Sequence, residues 1–110
     1  MDVKAARKIA LSLPGATEED HFGRPSFRVR GRIFATVPDP RHLNVFVDPP
    51  EVDGVVRLDP ETFAPVMWGK EVRGVQVNLP LASPDMVRDL MTAAWRRKAP
   101  RRLTDSERGL

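Results

Sequence analysis

The sequence contains no cysteine, no tyrosine and only two histidines, His21 and His42, among its 110 residues. Without cysteine the chain forms no disulfide, offers no thiolate nucleophile and cannot build a cysteine-ligated zinc site. No potential nucleophile stands at a recognisable spacing from a base, and nucleophilic catalysis requires such a pair. We therefore expect a protein that is not an enzyme, and the sequence assigns it no catalytic residue, no cofactor and no metal.

One acidic run, Thr17-Glu18-Glu19-Asp20-His21, places three carboxylates beside a histidine, as metal sites and acid–base sites do. Its side chains are metal-ligand types, but consecutive residues cannot all point in one direction, and a metal site needs convergent ligands. We predict instead a solvated loop in which Thr17 or Asp20 forms hydrogen bonds with the local backbone. A charge pairing between this run and arginines near the following turn is also open.

Long apolar runs are missing as well. No stretch approaches the ~20 apolar residues that cross a bilayer. Met1-Asp2-Val3-Lys4 leads straight into a polar-faced helix, so we expect no signal peptide. An apolar fraction of 41% and a charged fraction of 30% suit a soluble domain. We expect a cytoplasmic protein without membrane contact, with one domain over residues 1–103 and a flexible tail over residues 104–110.

Residues 11–37 carry the clearest structural signals. Leu13-Pro14-Gly15 is expected to end a first helix over residues 2–13, because proline cannot donate the next helical hydrogen bond. Asp2 can cap the beginning of that helix.

A strand–turn–strand unit follows, centred on Gly31. Apolar residues alternate with polar ones on both sides of this glycine, which is the period of half-buried strands. A two-residue loop at Arg30-Gly31 would pair Val29 with Arg32 and place charge on the apolar face. We therefore predict an odd-numbered loop with Gly31 in the left-handed conformation. Such a loop places five apolar residues on one face: Phe27, Val29, Ile33, Ala35 and Val37.

Alternation and turn residues predict three further strands, over residues 43–47, 63–68 and 75–79. Pro65 makes the middle one either an edge strand or an irregular strand. A short inner helix is expected from Pro50 to about residue 56.

The last helix is marked by Ser83 as its cap, Pro84 at its first position and Pro100 beyond its end. Its apolar residues recur at helical spacing and predict a buried face: Val87, Leu90, Met91, Ala94 and Trp95. The predicted fold class is α+β, a five-stranded antiparallel sheet with the N- and C-terminal helices packed on one face. The predicted order of elements is α-β-β-β-α-β-β-α.

Several short motifs follow one another along the chain: Leu13-Pro14-Gly15, Thr17-Glu18, Phe22-Gly23, Phe27, Gly31-Arg32-Ile33-Phe34-Ala35, Ala94-Trp95 and Ala99-Pro100-Arg101-Arg102-Leu103. In order and spacing they resemble the MmcQ/YjbR family of small bacterial proteins, over roughly residues 10–103. The resemblance implies an α+β domain similar to secretion chaperones or CyaY, and a double-wing role in DNA binding. This chain departs from the family at Gly74, where an aromatic residue often opens the last strand.

The chain is basic, with a net charge of +3 and a pI of about 9.9. A pI above 9 is typical of nucleic-acid-binding domains, although 14 of the 18 basic residues are arginine, which a GC-rich genome also produces. Candidate contacts to DNA phosphates lie at the two hairpins and near the C-terminus: Arg28, Arg30, Arg32, Lys70, Arg73, Arg96, Arg97, Arg101 and Arg102.

Two other functions remain open at this point. A protein-interaction module would use an exposed apolar patch, for which Phe46, Met67 and Trp68 are candidates because they fall outside the core pattern. A small-ligand module would use a pocket between the sheet and a helix, for which the sequence supplies no identifying polar residues.

Overall fold

Six antiparallel strands form one sheet in the order β1-β2-β3-β4-β6-β5. The computed structural model describes the backbone of residues 1–107 and the side chains of residues 1–104. The strands are β1 (Ala16–His21), β2 (Arg24–Val29), β3 (Arg32–Asp39), β4 (His42–Val45), β5 (Phe63–Trp68) and β6 (Glu71–Asn78). The helices are α1 (Val3–Leu11), α2 (Pro49–Leu58), α3 (Pro84–Lys98) and α4 (Arg101–Glu107). The predicted α+β class is confirmed, with six strands in place of five.

The helices begin at the residues that the sequence marks. The Asp2 carboxylate accepts a hydrogen bond from the amide of Ala5 at 2.9 Å, and the Ser83 hydroxyl accepts one from the amide of Met86 at 3.3 Å. Each bond satisfies an amide that the first helical turn leaves without a partner. The inner helix is also confirmed, and Pro49 lies in its first turn.

One face of the sheet is covered by α1 and α3, and α2 packs against β5 and β6. The core between them includes the apolar residues predicted for α3, among which Trp95 has no exposed surface. Its indole nitrogen donates a hydrogen bond to the carbonyl oxygen of Pro14 at 2.8 Å. This bond fastens α3 to the segment between α1 and β1, so the polar end of a buried ring is satisfied.

The acidic run is a strand, which corrects the prediction of a loop. β1 pairs with β2 over its whole length, from Ala16 opposite Val29 to His21 opposite Arg24. Its interior residues are exposed because β1 is an edge strand, and charges on an edge discourage pairing with other chains. The charged composition of β1 does not indicate a strand, because its backbone is held by pairing with β2 and not by burial of its side chains.

The loop around Gly31 is also different from the prediction. Val29 pairs with Arg32, so the turn has two residues, and both Arg30 and Gly31 have positive φ, at 52° and 76°. Positive φ at both positions is the pattern of a type I′ hairpin turn. The prediction was wrong because a β-bulge repairs the alternation inside β3.

The bulge lies where Phe27 pairs with Ala35 but Arg28 pairs with Ile33, leaving Phe34 as the extra residue. Phe34 is consequently buried in the core and Ile33 is not. A bulge inserts one residue into one strand only, so Ile33 moves to the opposite face of the sheet from the one predicted.

The position of β5 and the ends of β4 and of the C-terminal tail can also be compared with the sequence. β5 is an edge strand, one of the two forms expected from Pro65, whereas β4 ends at Val45, two residues before the predicted end at Val47. The tail predicted from Thr104 lies partly in α4, and residues 108–110 lie outside the described residues. Among the described residues, no helix combines the length and the apolar character that crossing a bilayer requires.

Candidate functional site

Two β-hairpins project from the same end of the sheet, measured along the strands. β3 and β6 both pair antiparallel with β4, so they run in the same direction and begin at the same end. We call residues 28–33, around the β2–β3 turn, the first wing and residues 68–73, around the β5–β6 turn, the second wing. Between them β4 ends at Val45, whereas β3 and β6 extend further outward. The early end of β4 therefore leaves a gap between the two wings.

A cleft of about 680 Å³, which we call the wing cleft, is lined by residues on both sides of this gap and also by Thr36 of β3 and His21 at the end of β1. Most of its wall is apolar and aromatic, with cations at its rim. It is lined by His21, Ile33, Thr36, Phe46, Val47, Pro49, Trp68, Glu71, Val72, Arg73, Arg97 and Lys98. Its volume falls within the roughly 300–1,000 Å³ range of small-ligand sites.

Lys98, the last residue of α3, lies close enough to a cation of each wing to be repelled by both. Burial lowers the pKa of its ammonium group, and the positive charges of Arg97, Arg32 and Arg73 lower it further, against a smaller opposite effect of Asp48. Arg32 belongs to the first wing and Arg73 to the second. Both wings thus place a cation within Coulombic reach of one lysine, which forms no ion pair or hydrogen bond with another described residue.

On the second wing, Arg73 is held against Trp68. Its guanidinium carbon lies 4.9 Å from the centroid of the indole ring, and its Nη2 lies 3.0 Å from the carboxylate of Glu71. Cation–π contact and ion pair together orient Arg73. Trp68 remains 62% exposed, so most of its surface is open to the wing cleft and to solvent. Lys70, at the turn itself, is exposed.

On the first wing, Arg30 and Arg32 are exposed but Arg28 is not at the solvent-facing tip where the sequence placed it. The Nε of Arg28 donates a hydrogen bond to the Ser26 hydroxyl at 3.0 Å and lies 3.9 Å from the Glu19 carboxylate. The sequence left open a charge pairing between the acidic run and arginines near the following turn, and the contact of Arg28 with Glu19 is such a pairing. Arg28 therefore contributes less positive charge to the wing than Arg30 or Arg32.

The C-terminal candidates separate into two groups. Arg97 donates to the carbonyl oxygen of Phe46 at 2.6 Å and lies 3.1 Å from the carboxylate of Asp48, so it holds the chain after β4 against α3. Arg96 lies beside it in α3, and Arg101 and Arg102 lie exposed in α4. Of these four residues, Arg97 is the one that lines the wing cleft.

Sequence reasoning missed four polar residues of the cleft: His21, Thr36, Glu71 and Lys98. Lys98 stands between the candidate arginines Arg97 and Arg101, but a helix end gives no indication of which cation faces the wings. His21 was assigned to a loop, and its place in the wing cleft depends on β1 pairing with β2. Among the described residues, no group of histidines and carboxylates is arranged to hold a metal ion.

A family model described as YjbR matches residues 11–97, most of the chain and both wings. The chain belongs to the YjbR family. The MmcQ/YjbR resemblance seen in the short motifs is thereby confirmed, and no curated protein matches the chain in sequence.

A solved YjbR-like structure supports the fold. The crystal structure of the Deinococcus radiodurans protein DR2400, which carries a domain designated DUF419, is similar with a TM-score of 0.72. The two chains share 22% identity, and the match covers 84% of this chain and 75% of that one. At this identity the similarity establishes the architecture of the domain.

Gly74, which the resemblance placed at the start of the last strand, is the fourth residue of β6 and follows Arg73 of the wing cleft. A Cβ built on Gly74 would be 2.4 Å from the carbonyl oxygen of Val45 and 3.1 Å from Cδ1 of Phe46. The backbone and ring that follow β4 therefore occupy the space that a side chain at position 74 would need. Phe46 supplies an aromatic ring to this part of the cleft.

Proposed function

We propose that this protein binds nucleic acid through its two wings and acts as a binding module, not as an enzyme, in the bacterial cytoplasm. The observation that carries the proposal is that Arg73, Arg97 and Lys98 line one cleft, with Arg32 of the first wing within Coulombic reach of Lys98. Folding does not require like charges to converge, because their repulsion opposes it. An anionic ligand with repeated charges offsets that repulsion.

The balance of charge around the wing cleft supports an anionic partner. Arg97 is paired with Asp48 and Arg73 with Glu71, whereas Arg32 and Lys98 have no carboxylate partner among the described residues. Arg30 and Lys70 add exposed positive charge at the two turns. Contacts of this kind bind the phosphate backbone and do not distinguish bases.

The salt dependence of binding tests the proposal. Affinity for a fluorescent 20-base-pair duplex would be measured by anisotropy from low to moderate salt. If five cations contact phosphates, the slope of log K against log salt is about −4.5. These five are Arg30, Arg32, Lys70, Arg73 and Lys98. Absence of binding at low salt would refute the proposal.

A triple variant locates the contacts. Arg30→Asn, Arg32→Gln and Lys70→Gln remove three wing cations, and Asn suits the positive φ of position 30. The slope should become shallower by about 2.7. The matched control removes three cations away from the wings, with Lys4→Gln, Lys8→Gln and Arg41→Gln. An equal loss of slope in the control would show that general basicity, and not the wings, causes binding.

The wing cleft also favours a second candidate, a small amphipathic anion. Its apolar lining and its volume of about 680 Å³ are those of a ligand site. A protein segment covering Trp68 and Met67, which are 62% and 47% exposed, is the third candidate carried over from the sequence. Analytical ultracentrifugation with and without nucleic acid separates self-association from these alternatives.

A further inference from the structure

We infer that the wing cleft receives one unstacked base of a single-stranded nucleic acid, which lies against the indole ring of Trp68. The inference rests on the proposed function and specifies its substrate class. It predicts that a single strand, and not a duplex, uses the interior of the cleft. The phosphates on either side of that base would lie among the cations of the two wings.

Trp68 provides the stacking surface. Its ring lines the cleft at the end of an edge strand, and 62% of it is exposed although tryptophan gains much by burial. Arg73 lies over the ring at 4.9 Å and is itself anchored by Glu71. A guanidinium stacked on an aromatic ring holds that ring in place for a further planar group.

The surrounding cations suit a strand in preference to a neutral aromatic ligand. Lys98 has no partner among the described residues, and its pKa is lowered by burial and by Arg97, Arg32 and Arg73 in that order. A phosphate between Lys98 and Arg32 would relieve this repulsion. Phosphate contacts beside an aromatic ring are the combination by which proteins bind single strands.

The other side chains of the cleft suggest little discrimination between bases. Ile33, Phe46 and Val72 supply apolar contact, while His21 and Thr36 supply most of the uncharged hydrogen-bonding capacity. A duplex keeps its bases paired and stacked, so it presents phosphates to the wings but no base to Trp68. The inference therefore separates two modes of binding that share the same cations.

The test compares a fluorescein-labelled oligothymidylate of 12 residues with a duplex of equal length, by anisotropy at low salt. Trp68→Ala should weaken binding of the single strand about 5- to 150-fold, the range for loss of one base–aromatic stack, and leave duplex binding within twofold. Trp68→Phe should restore most of the loss. Leu58→Ala is the control, because Leu58 is 73% exposed at the end of α2 and does not line the cleft.

Tryptophan fluorescence gives a second readout from the unlabelled protein. The two tryptophans differ fully in environment, since Trp95 is buried and Trp68 is exposed. Oligothymidylate should quench the tryptophan fluorescence of the wild type. In Trp68→Phe, where only Trp95 emits, the fluorescence should stay unquenched. The same Trp95 emission verifies that each variant is folded.

The outcomes separate the inference from the proposed function. Equal binding of the single strand by wild type and Trp68→Ala would overturn the inference, while salt-dependent binding of both nucleic acids would uphold the proposed function. Failure of both nucleic acids to bind would refute both. Thymidine monophosphate binding as tightly as the 12-mer would overturn the inference in favour of a free nucleotide as ligand.

Discussion

At the scale of single residues, Gly74 shows how the cleft and the stability of the fold are linked. Val45 and Phe46 pass so close to it that a Cβ would lie 2.4 Å from a backbone oxygen. Backbone cannot move aside as the end of a flexible side chain can. Phe46 can therefore occupy its place in the wing cleft only because position 74, in β6, carries no side chain.

Gly74→Ala should lower the free energy of unfolding by about 1–3 kcal/mol, the typical penalty for inserting an extra group into a packed site. Gly54→Ala is the control, because Gly54 lies in α2 with open space around it, and alanine there should stabilise the protein by about 0.5–1 kcal/mol. Urea unfolding measures both changes. A Gly74→Ala protein as stable as the wild type would contradict the packing described.

At the scale of elements, turns and bulges decide what each hairpin presents. The bulge in β3 buries Phe34 and turns Ile33 toward the wing cleft. At the other end of β3, the turn to β4 is organised by Asp39, whose carboxylate accepts hydrogen bonds from the amide of Arg41 at 2.7 Å and from the ring of His42 at 2.9 Å.

These bonds predict a pH dependence for the β3–β4 turn. The bond from the Arg41 amide is the largest cause that lowers the pKa of Asp39, and the contacts of His42 lower it further. Because the folded pKa lies below the unfolded one, near 3.9, the carboxylate stabilises the fold above pH ~4. That stabilisation is lost as the pH falls through the folded pKa.

Asp39→Asn keeps the acceptor oxygen but removes the charge. The variant should unfold at a lower temperature than the wild type at pH 6. This difference in melting temperature, the gap, should fall to zero between pH 4 and pH 2. Thermal unfolding followed by circular dichroism measures the gap. A gap that stays constant over this range would rule out the charge of Asp39 as its cause.

At the scale of the whole molecule, the wings and the end of α3 concentrate positive charge, and Arg32 and Lys98 there have no carboxylate partner among the described residues. Burial and three arginines disfavour the protonated form of Lys98 in the folded state. Its folded pKa is therefore below the unfolded one, near 10.4, and stability should rise as the pH increases through that interval. Positive charge retained at the expense of stability is typical of binding sites.

Lys98→Gln should consequently raise the stability at pH 7, by about 0.2–1 kcal/mol as for other partly exposed charges, while weakening nucleic-acid binding. The gain in melting temperature should disappear near pH 11, where the lysine is neutral in both states. Lys4→Gln, on the exposed face of α1, is the control and should change neither property. A Lys98→Gln protein that binds as well as the wild type would remove Lys98 from the interface.

The elements that could be predicted are those fixed by their own residues. Asp2 and Ser83 determine the beginnings of α1 and α3 by accepting hydrogen bonds from amides three residues away, and Pro84 suits the first position of α3. Periodicity identified the buried face of α3. β1 could not be predicted, because its charged residues pair with β2 by backbone bonds that any residue type can form. The bulge in β3 escaped prediction because it depends on which residues of β2 lie opposite.

The sequence by itself determined the family, the α+β class, the helix caps and the excess of positive charge, because each depends on residue identity or on spacing along the chain. The wing cleft was decided only by the tertiary structure. It requires β4 to end early between two longer strands, and it brings Ile33, Trp68 and Lys98 together from three distant segments. Proximity of this kind is a property of strand order and register, which no local pattern of residues encodes.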